Sequence, residues 1–260
     1  MRLGLTSAAF YGRLETEDAA RKLKGFALDT CEIFLETHSE YTREFGLLAK
    51  ERLGGLHCRS IHAKGTQFEA DLFGASPRQR KDAFTILEGM LDCGEALGAS
   101  VYVFHGLPDY RGALSVERIP RLAETVGLII HMAKARGITL AWENVSWCGL
   151  KRPQDAAYLL QECPDLRFTL DIKQARQKGI DPFAFIPVMA SRLVHVHVLD
   201  HDAQGYHCLP GTGLFDFKRL KHALDAIGYR GDIILEPYAA QAEDEQALKE
   251  SIAFLRSVFG

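Results

Sequence analysis

The chain has 260 residues, of which 47% are hydrophobic, and carries a formal net charge of −3. This length suits two small domains or one α/β barrel, and either can bury a sizeable core. The slightly acidic balance gives no basic field for nucleic acid or an anionic membrane surface. We therefore expect no nucleic-acid partner and no membrane partner.

Targeting signals and cysteine usage both favour a cytoplasmic protein. Residues 1–10 are too short and too weakly charged for a secretory signal, and no apolar run approaches the ~18 residues of a membrane span. The 6 cysteines are scattered, form no Cys-x-x-Cys pair and lie largely in apolar stretches. Such spacing predicts reduced thiols rather than a disulfide framework.

Strand-like and helix-like segments alternate along the chain. Short runs rich in β-branched or aromatic residues predict strands buried on both faces. These runs are residues 3–6, 31–35, 56–62, 101–105, 139–143, 168–171, 193–198 and 233–236. The clearest helical patterns between and after them are one from Ser76-Pro77 to Gly98, one from Ser115 to Gly137, one from Asp216 to Gly228, and one over residues 243–258.

The number and order of these units predict the fold. Eight strand–helix units in about 250 residues are typical of a (β/α)8 TIM barrel. A doubly wound sheet is the main alternative, but it would carry a glycine-rich turn after its first strand, and residues 5–9 contain no glycine. No linker, low-complexity tract or repeat interrupts the chain. We predict a single α/β domain, a TIM barrel, over residues 1–260.

Four predicted strands end in a residue that can ligate a divalent metal: Glu143, Asp171, His197 and Glu236. Barrel enzymes carry their chemistry at the C-terminal ends of the strands, so these side chains are expected to meet. Any single carboxylate has a simpler interpretation as a helix cap or a salt bridge. Four ligand-type residues on consecutive strands favour one site for Mn²⁺, Mg²⁺, Co²⁺ or Zn²⁺, because ionised groups gather where something neutralises them.

The ordered series of motifs around these residues resembles the xylose-isomerase-like barrel superfamily. The motifs are Glu143-Asn144, Leu170-Asp171, His195-Val196-His197-Val198-Leu199-Asp200, Leu209-Pro210-Gly211-Thr212-Gly213, Asp216-Phe217 and Leu235-Glu236. The superfamily contains sugar isomerases, ketose 3-epimerases, inosose dehydratases and the second family of apurinic endonucleases. The resemblance covers about residues 55–258 and is strongest over 139–237. It implies that the four strand-end residues hold one divalent metal and that the two glutamates move protons on opposite faces of a sugar.

The residues support such a mechanism independently. A metal that holds a ketose carbonyl and the adjacent hydroxyl acidifies the C–H bond between them by stabilising an enediolate. Glu143 and Glu236 would approach from different sides of the barrel mouth, so one removes a proton and the other returns it. Lys173 lies two residues after Asp171, and in an extended strand both point to the same side. Lys173 is therefore a third catalytic candidate, with a surface salt bridge as the alternative.

Further residues are candidates for substrate binding. His62 and His105 end the third and fourth strands and line the substrate site in the sugar enzymes of the superfamily, whereas in the endonucleases the matching histidines bind additional zinc. Trp147 follows strand five and either forms an apolar wall against a sugar ring or packs on a helix. Gln174 occupies a position where many relatives have histidine. His207 resembles another endonuclease ligand.

Two departures from the endonuclease pattern reduce the number of metal ions that the site is expected to hold. Gln174 replaces a histidine, and Gly205 stands where an acidic partner of His207 is expected. Both oppose a complete three-zinc cluster and favour one ion. His195 is interpreted as a packing or supporting residue one layer below His197. For Glu32, on the second strand, the sequence leaves open an inward-facing acid or a rim charge.

These observations predict a divalent-metal-dependent sugar or sugar-phosphate isomerase or epimerase that works through an enediolate. One alternative is a zinc-dependent apurinic/apyrimidinic endonuclease-like repair enzyme. Another is a dehydratase or lyase that acts on a keto-sugar with the same metal site, and a barrel that binds a metal–sugar complex without turnover also stays open. The expected partner is a small-molecule sugar or sugar phosphate, with a homo-oligomer left open. Metal identity and the particular sugar are not predicted.

Overall fold

The predicted strands close into one barrel in which neighbouring strands run parallel. The computed structural model describes residues 1–109, 111 and 114–260. The barrel strands are β1 (Leu3–Thr6), β2 (Thr30–Leu35), β3 (Cys58–Ala63), β4 (Val101–Phe104), β5 (Thr139–Glu143), β6 (Arg167–Asp171), β7 (Leu193–Val198) and β10 (Asp232–Leu235). They follow one another around the barrel in that order, and β10 pairs with β1. The prediction of a single-domain (β/α)8 TIM barrel is confirmed.

Helices fill the connections and cover the outside of the barrel. They are α1 (Thr16–Leu23), α2 (Arg43–Leu53), α3 (Gln67–Asp71), α4 (Pro77–Leu97), α5 (Leu122–Lys134), α6 (Pro153–Glu162), α7 (Ile172–Gln177), α8 (Ile186–Met189), α9 (Phe217–Ala226) and α10 (Glu245–Phe259). As predicted, α4 begins after the Ser76 cap and ends at Gly98, whose φ of +84° favours glycine. Within the described parts of the chain, no helix has the length and apolar character needed to cross a membrane.

One helix begins later than its sequence pattern predicts. The segment after Ser115 forms only a short 3₁₀ turn, Val116–Arg118, and Ile119 is then extended. Pro120 follows Ile119, and a proline disfavours the helical conformation in the residue before it. The regular helix α5 therefore begins at Leu122 rather than near Ser115.

Strand register brings the ligand-type residues to one end of the barrel. Asp171, the last residue of β6, lies opposite His197 on β7, and His197 lies opposite Ile234 on β10.

A small apolar cluster of Val101, Val103 and Ala141 is separate from the main core. The loop after β7 forms a two-stranded antiparallel hairpin, β8 (Asp200–His201) with β9 (His207–Cys208).

Candidate metal and active site

The four strand-end residues meet in one buried cluster. Each of Glu143, Asp171, His197 and Glu236 offers a ligand atom, and these atoms lie within 4.8 Å of one another. Nδ1 of His197 is 2.9 Å from Glu143 Oε1 and 3.6 Å from Glu236 Oε2. No member of the cluster is more than 8% exposed. Residues almost a hundred positions apart in sequence are thus brought within ligand distance of a single point.

The pKa values in the cluster depart strongly from their ordinary ranges. Burial opposes ionisation of Glu143, but the charge of His197 and hydrogen bonds to His105 and His197 hold its pKa well below the usual range. Burial and the charges of Glu236 and Glu143 raise the pKa of Asp171 well above its usual range, despite nearby Lys173. Burial disfavours charge on His197, yet the neighbouring carboxylates raise its pKa well above normal. Ionisation of these buried carboxyl groups therefore depends on positive charge close to them.

This donor set fits a divalent cation. Asp171 Oδ2 is buried and makes no hydrogen bond, although a buried carboxylate oxygen normally has a partner. The carboxylates of Glu143, Asp171 and Glu236 supply hard oxygen donors, and His197 supplies a nitrogen donor. A cation among them would satisfy the orphaned oxygen and offset the mutual repulsion of the acids.

Lys173 reaches the cluster by a different route from the one that the sequence predicts. The extended strand ends at Asp171, and Lys173 lies in the first turn of α7. The helix begins there because Asp171 Oδ1 accepts a hydrogen bond from the Gln174 N–H at 2.8 Å. Lys173 Nζ lies 2.6 Å from Glu236 Oε2 and 3.6 Å from Asp171 Oδ2. The prediction that Lys173 continues an extended strand was wrong, but its ammonium does face the acids.

Two histidines from β3 and the end of β4 extend the cluster on one side. Nε2 of His62 lies 2.7 Å from Nε2 of His105, and His105 Nε2 lies 3.3 Å from Glu143 Oε2. His62 Nδ1 also lies 3.5 Å from Glu236 Oε1. The Trp147 ring is 5.9 Å from the His105 ring, and Trp147 is half-buried. Both histidines and Trp147 therefore border the site.

The sequence model of the xylose isomerase-like TIM barrel family matches residues 29–258. This chain belongs to that family. No protein with a curated description matches it.

Solved structures share the fold over nearly the whole length of both chains. A D-psicose 3-epimerase from Clostridium cellulolyticum H10, solved with D-tagatose, has 18% sequence identity and a TM-score of 0.80, and the match covers 100% of this chain and 99% of that one. A 3-keto-D-glucoside 4-epimerase from E. coli has 19% identity and a TM-score of 0.76, with 99% of each chain covered. The IolI protein, solved with a bound zinc atom, has 16% identity and a TM-score of 0.73, with 99% and 96% covered. At these identities the likeness shows the fold alone.

Two predicted substrate-binding residues of this xylose isomerase-like barrel direct their side chains to partners outside the metal cluster, although the backbone N–H of Gln174 donates to Asp171. The side-chain oxygen of Gln174 accepts hydrogen bonds from the Ser146 N–H at 3.1 Å and the Ser146 hydroxyl at 2.8 Å. His207 Nε2 lies 2.9 Å from the Gln177 amide nitrogen, and its ring lies 5.6 Å from that of Tyr238. A role for either residue in substrate binding stays a prediction.

Sequence reasoning left Glu32 undecided and missed Glu69. Glu32 is 0% exposed and its carboxylate lies 3.1 Å from His197 Nε2, so it is an inward-facing acid and not a rim charge. Glu69 Oε2 accepts hydrogen bonds from the N–H groups of His105 and Gly106, each at 2.9 Å, and so holds the end of β4. The signal for Glu32 was a lone charge in an apolar strand. Glu69 gave no such signal because it lies in the short helix α3.

A cavity of about 170 Å³ adjoins Glu236 and Lys173. Aromatic side chains form much of its wall, and its lining consists of Ala8, Tyr11, Phe34, Lys64, Lys173, Glu236, Pro237, Tyr238 and Ala239. Tyr11 is 40% and Tyr238 is 44% exposed, so the cavity opens at the barrel mouth. A small molecule that enters there would meet the charged groups of Glu236, Lys173 and Lys64 together with aromatic and aliphatic side chains.

Proposed function

We propose that this protein is a divalent-metal-dependent sugar isomerase or epimerase that works by proton transfer through an enediolate. The observation that carries this proposal is the convergence of two glutamates on one imidazole, since His197 Nδ1 lies 2.9 Å from Glu143 and 3.6 Å from Glu236. Inversion at one carbon needs two such groups on its opposite sides, one that removes the proton and one that returns it. The fold is shared with two sugar epimerases and with a protein solved with bound zinc, which also supports this proposal.

Different residues of the site would bind the cation, transfer protons and stabilise charge. Glu143, Asp171, His197 and Glu236 would hold the cation, which polarises the ketose carbonyl when bound. Glu143 on β5 and Glu236 after β10 act as the proton carriers. Lys173 directs its ammonium toward the Glu236 side of the site and stabilises negative charge that develops on the substrate oxygen.

We further propose that the substrate carries no phosphate. The glycine-rich turn after β9 is the sequence feature that most resembles a phosphate loop, but its N–H groups are already engaged. Asp200 Oδ2 accepts from the N–H groups of Gly211 and Gly213, each at 3.2 Å, and Leu209 O accepts from the Thr212 N–H. A phosphate in this turn would have to displace a 2% exposed carboxylate that repels it.

The basic pair after β5 gives no better phosphate site. Lys151 is 5% exposed and its ammonium pairs with Asp109. The Arg152 guanidinium pairs with Asp155 at 2.8 Å. Lys151 cannot bind an anionic substrate without first losing its carboxylate, and Arg152, whose side chain is 47% exposed, already donates from two of its nitrogens to Asp155. This pairing and the aromatic side chains that line the mouth cavity support an uncharged ketose whose distal carbons pack against Tyr11, Phe34 and Tyr238. The Lys64 ammonium in that lining is already hydrogen-bonded to the Tyr11 hydroxyl.

A test with a panel of ketoses and matched ketose phosphates separates these ideas. The metal-loaded protein should catalyse exchange of a carbon-bound proton with deuterated water for at least one free ketose, followed by NMR, and pretreatment with a chelator should stop it. The matched phosphate should react more slowly. A product that has lost water would instead favour the dehydratase alternative, and no exchange with any ketose would refute the proposed function.

The zinc endonuclease remains a second candidate because of one observation. Two further groups of potential ligands overlap the first. One consists of His62, His105 and Glu143, and the other of Glu32, His62, His197 and Glu236. Metal content distinguishes the two functions. We expect about one divalent ion per chain after purification without chelators, because Gln174 and Gly205 remove ligands from a larger cluster. Elemental analysis that gives close to three zinc ions per chain would put the endonuclease first.

A further inference from the structure

The carboxylate of Glu32 lies at the centre of the buried histidines. Its Oε2 accepts a hydrogen bond from the Ser60 hydroxyl at 2.7 Å and lies 3.1 Å from His197 Nε2 and 3.3 Å from His195 Nε2. Its Oε1 lies 3.4 Å from His62 Nδ1. Glu32, His195 and His197 are all 0% exposed. One carboxylate thus contacts three imidazoles where water cannot supply alternative partners.

The two nitrogens of His197 face opposite sides of the site. Nδ1 faces Glu143 and Glu236, whereas Nε2 faces Glu32. An imidazole that ligates a cation through Nδ1 carries its single N–H at Nε2, and this N–H needs an acceptor when it is buried. Glu32 Oε2 is that acceptor. A carboxylate behind a ligating histidine fixes the ring and makes the ligating nitrogen more basic.

Strand pairing fixes the position of Glu32 itself. Glu32 lies opposite Ser60 in the β2–β3 pairing, and the register shifts just before this pair, between Cys31 and Glu32. The shift brings the Ser60 hydroxyl within 2.7 Å of the carboxylate. A bulge beside a site commonly redirects a side chain in this way. The carboxylate therefore presents a fixed acceptor to His197.

We propose that Glu32 is a positioning residue that selects Nδ1 of His197 as the metal-ligating nitrogen. This inference rests on the proposed metal site but not on the sugar reaction. Glu32 also belongs to a group of potential ligands with His62, His197 and Glu236, but in this role its carboxylate contacts Nε2 of His197 and not the cation held through Nδ1. Its effect passes through the His197 ring, and it strengthens metal binding.

Zn²⁺ affinity of the full-length protein tests this inference, measured by competition with a chromophoric chelator and without sugar. Glu32→Gln should bind Zn²⁺ about ten- to a hundredfold more weakly than the wild type, the usual effect of losing such a partner. Asp232→Asn is the matched control. It removes another buried carboxylate, 2% exposed, which pairs with Arg2 at the N-terminal end of β10, and should leave the affinity unchanged.

NMR of ¹⁵N-histidine in the Zn²⁺-loaded protein gives a readout that a merely structural role would not change. The wild type should show His197 ligated through Nδ1 and protonated at Nε2, whereas Glu32→Gln should lose this single state. If Glu32→Gln does not fold, Glu32→Asp, which withdraws the carboxylate by one methylene, should also weaken binding. Wild-type affinity in the folded variant, or a wild-type protein that binds no Zn²⁺, would overturn the inference. Tight Zn²⁺ binding without ketose turnover would refute only the proposed function.

Discussion

Replacing Glu236 with glutamine should lower the rate of ketose interconversion by about 10²–10⁴, the usual contribution of a positioned acid or base. The variant keeps the shape of the side chain but cannot carry a proton at physiological pH. Glu236 is 8% exposed and has Lys173 and His197 within 4 Å, so water cannot easily take over its role. The measurement is incorporation of deuterium from solvent at the reacting carbon of the ketose that the panel identifies.

Two controls make the Glu236 result specific. Metal content must be measured in the variant, because a glutamine also ligates more weakly and a lost cation would mimic a lost base. Glu40→Gln is the matched substitution, since Glu40 is 6% exposed and bonds to Thr16 and the Glu36 N–H instead of the cluster. Its exchange rate should stay within about twofold of the wild type. A metal-loaded Glu236→Gln protein with wild-type exchange would remove Glu236 from the mechanism.

The barrel was predictable because its strands are short, apolar and regularly spaced. Each of the eight runs appears as a strand with bounds that differ by at most a few residues from those predicted. Convergence of the strand-end residues followed from the barrel, since parallel strands carry their C-terminal ends to one rim. Glu143, Asp171, His197 and Glu236 could therefore be grouped from the sequence before any distance was known.

The surroundings of the cluster were less predictable because they depend on contacts between distant segments. Glu32 and His197 are 165 positions apart, and their 3.1 Å contact depends on barrel closure and on a local register shift. Lys173 enters the site from a helix that Asp171 itself initiates, a capping interaction that strand periodicity does not reveal. Whether the turn at Gly211 can bind a phosphate depends on Asp200, which accepts its N–H groups, and the sequence does not reveal that contact.

The charges around Lys173 indicate what the ammonium contributes. Burial alone would lower its pKa, but the charges of Glu236 and Asp171 raise it above its ordinary value, so Lys173 stays protonated. It also lies 4.6 Å from the centroid of the Tyr238 ring, which restricts its movement. Lys173 therefore supplies a fixed positive charge next to one of the two proposed proton carriers.

Replacing Lys173 with methionine should lower kcat by about 10²–10³, in the range found when a preorganised electrostatic group is removed from an active site. Methionine keeps most of the buried volume but leaves Glu236 and Asp171 without their cationic partner. Because the ammonium also competes with a metal ion for these carboxylates, the same variant should bind Zn²⁺ more tightly than the wild type. Steady-state kinetics on metal-saturated protein and a chelator competition measure the two effects.

The expected changes in kcat and in Zn²⁺ affinity have opposite signs, which distinguishes a catalytic role of Lys173 from a role in folding. A variant that merely loosened the site would lose metal affinity together with activity, whereas loss of the ammonium alone lowers kcat and raises affinity. Lys151→Met is the matched control, since Lys151 is equally buried, at 5% exposure, and pairs with Asp109 rather than with the cluster. It should destabilise the fold without changing Zn²⁺ affinity. If Lys173→Met retains wild-type kcat, Lys173 serves only to neutralise the empty site, and proton transfer depends on the two glutamates without it.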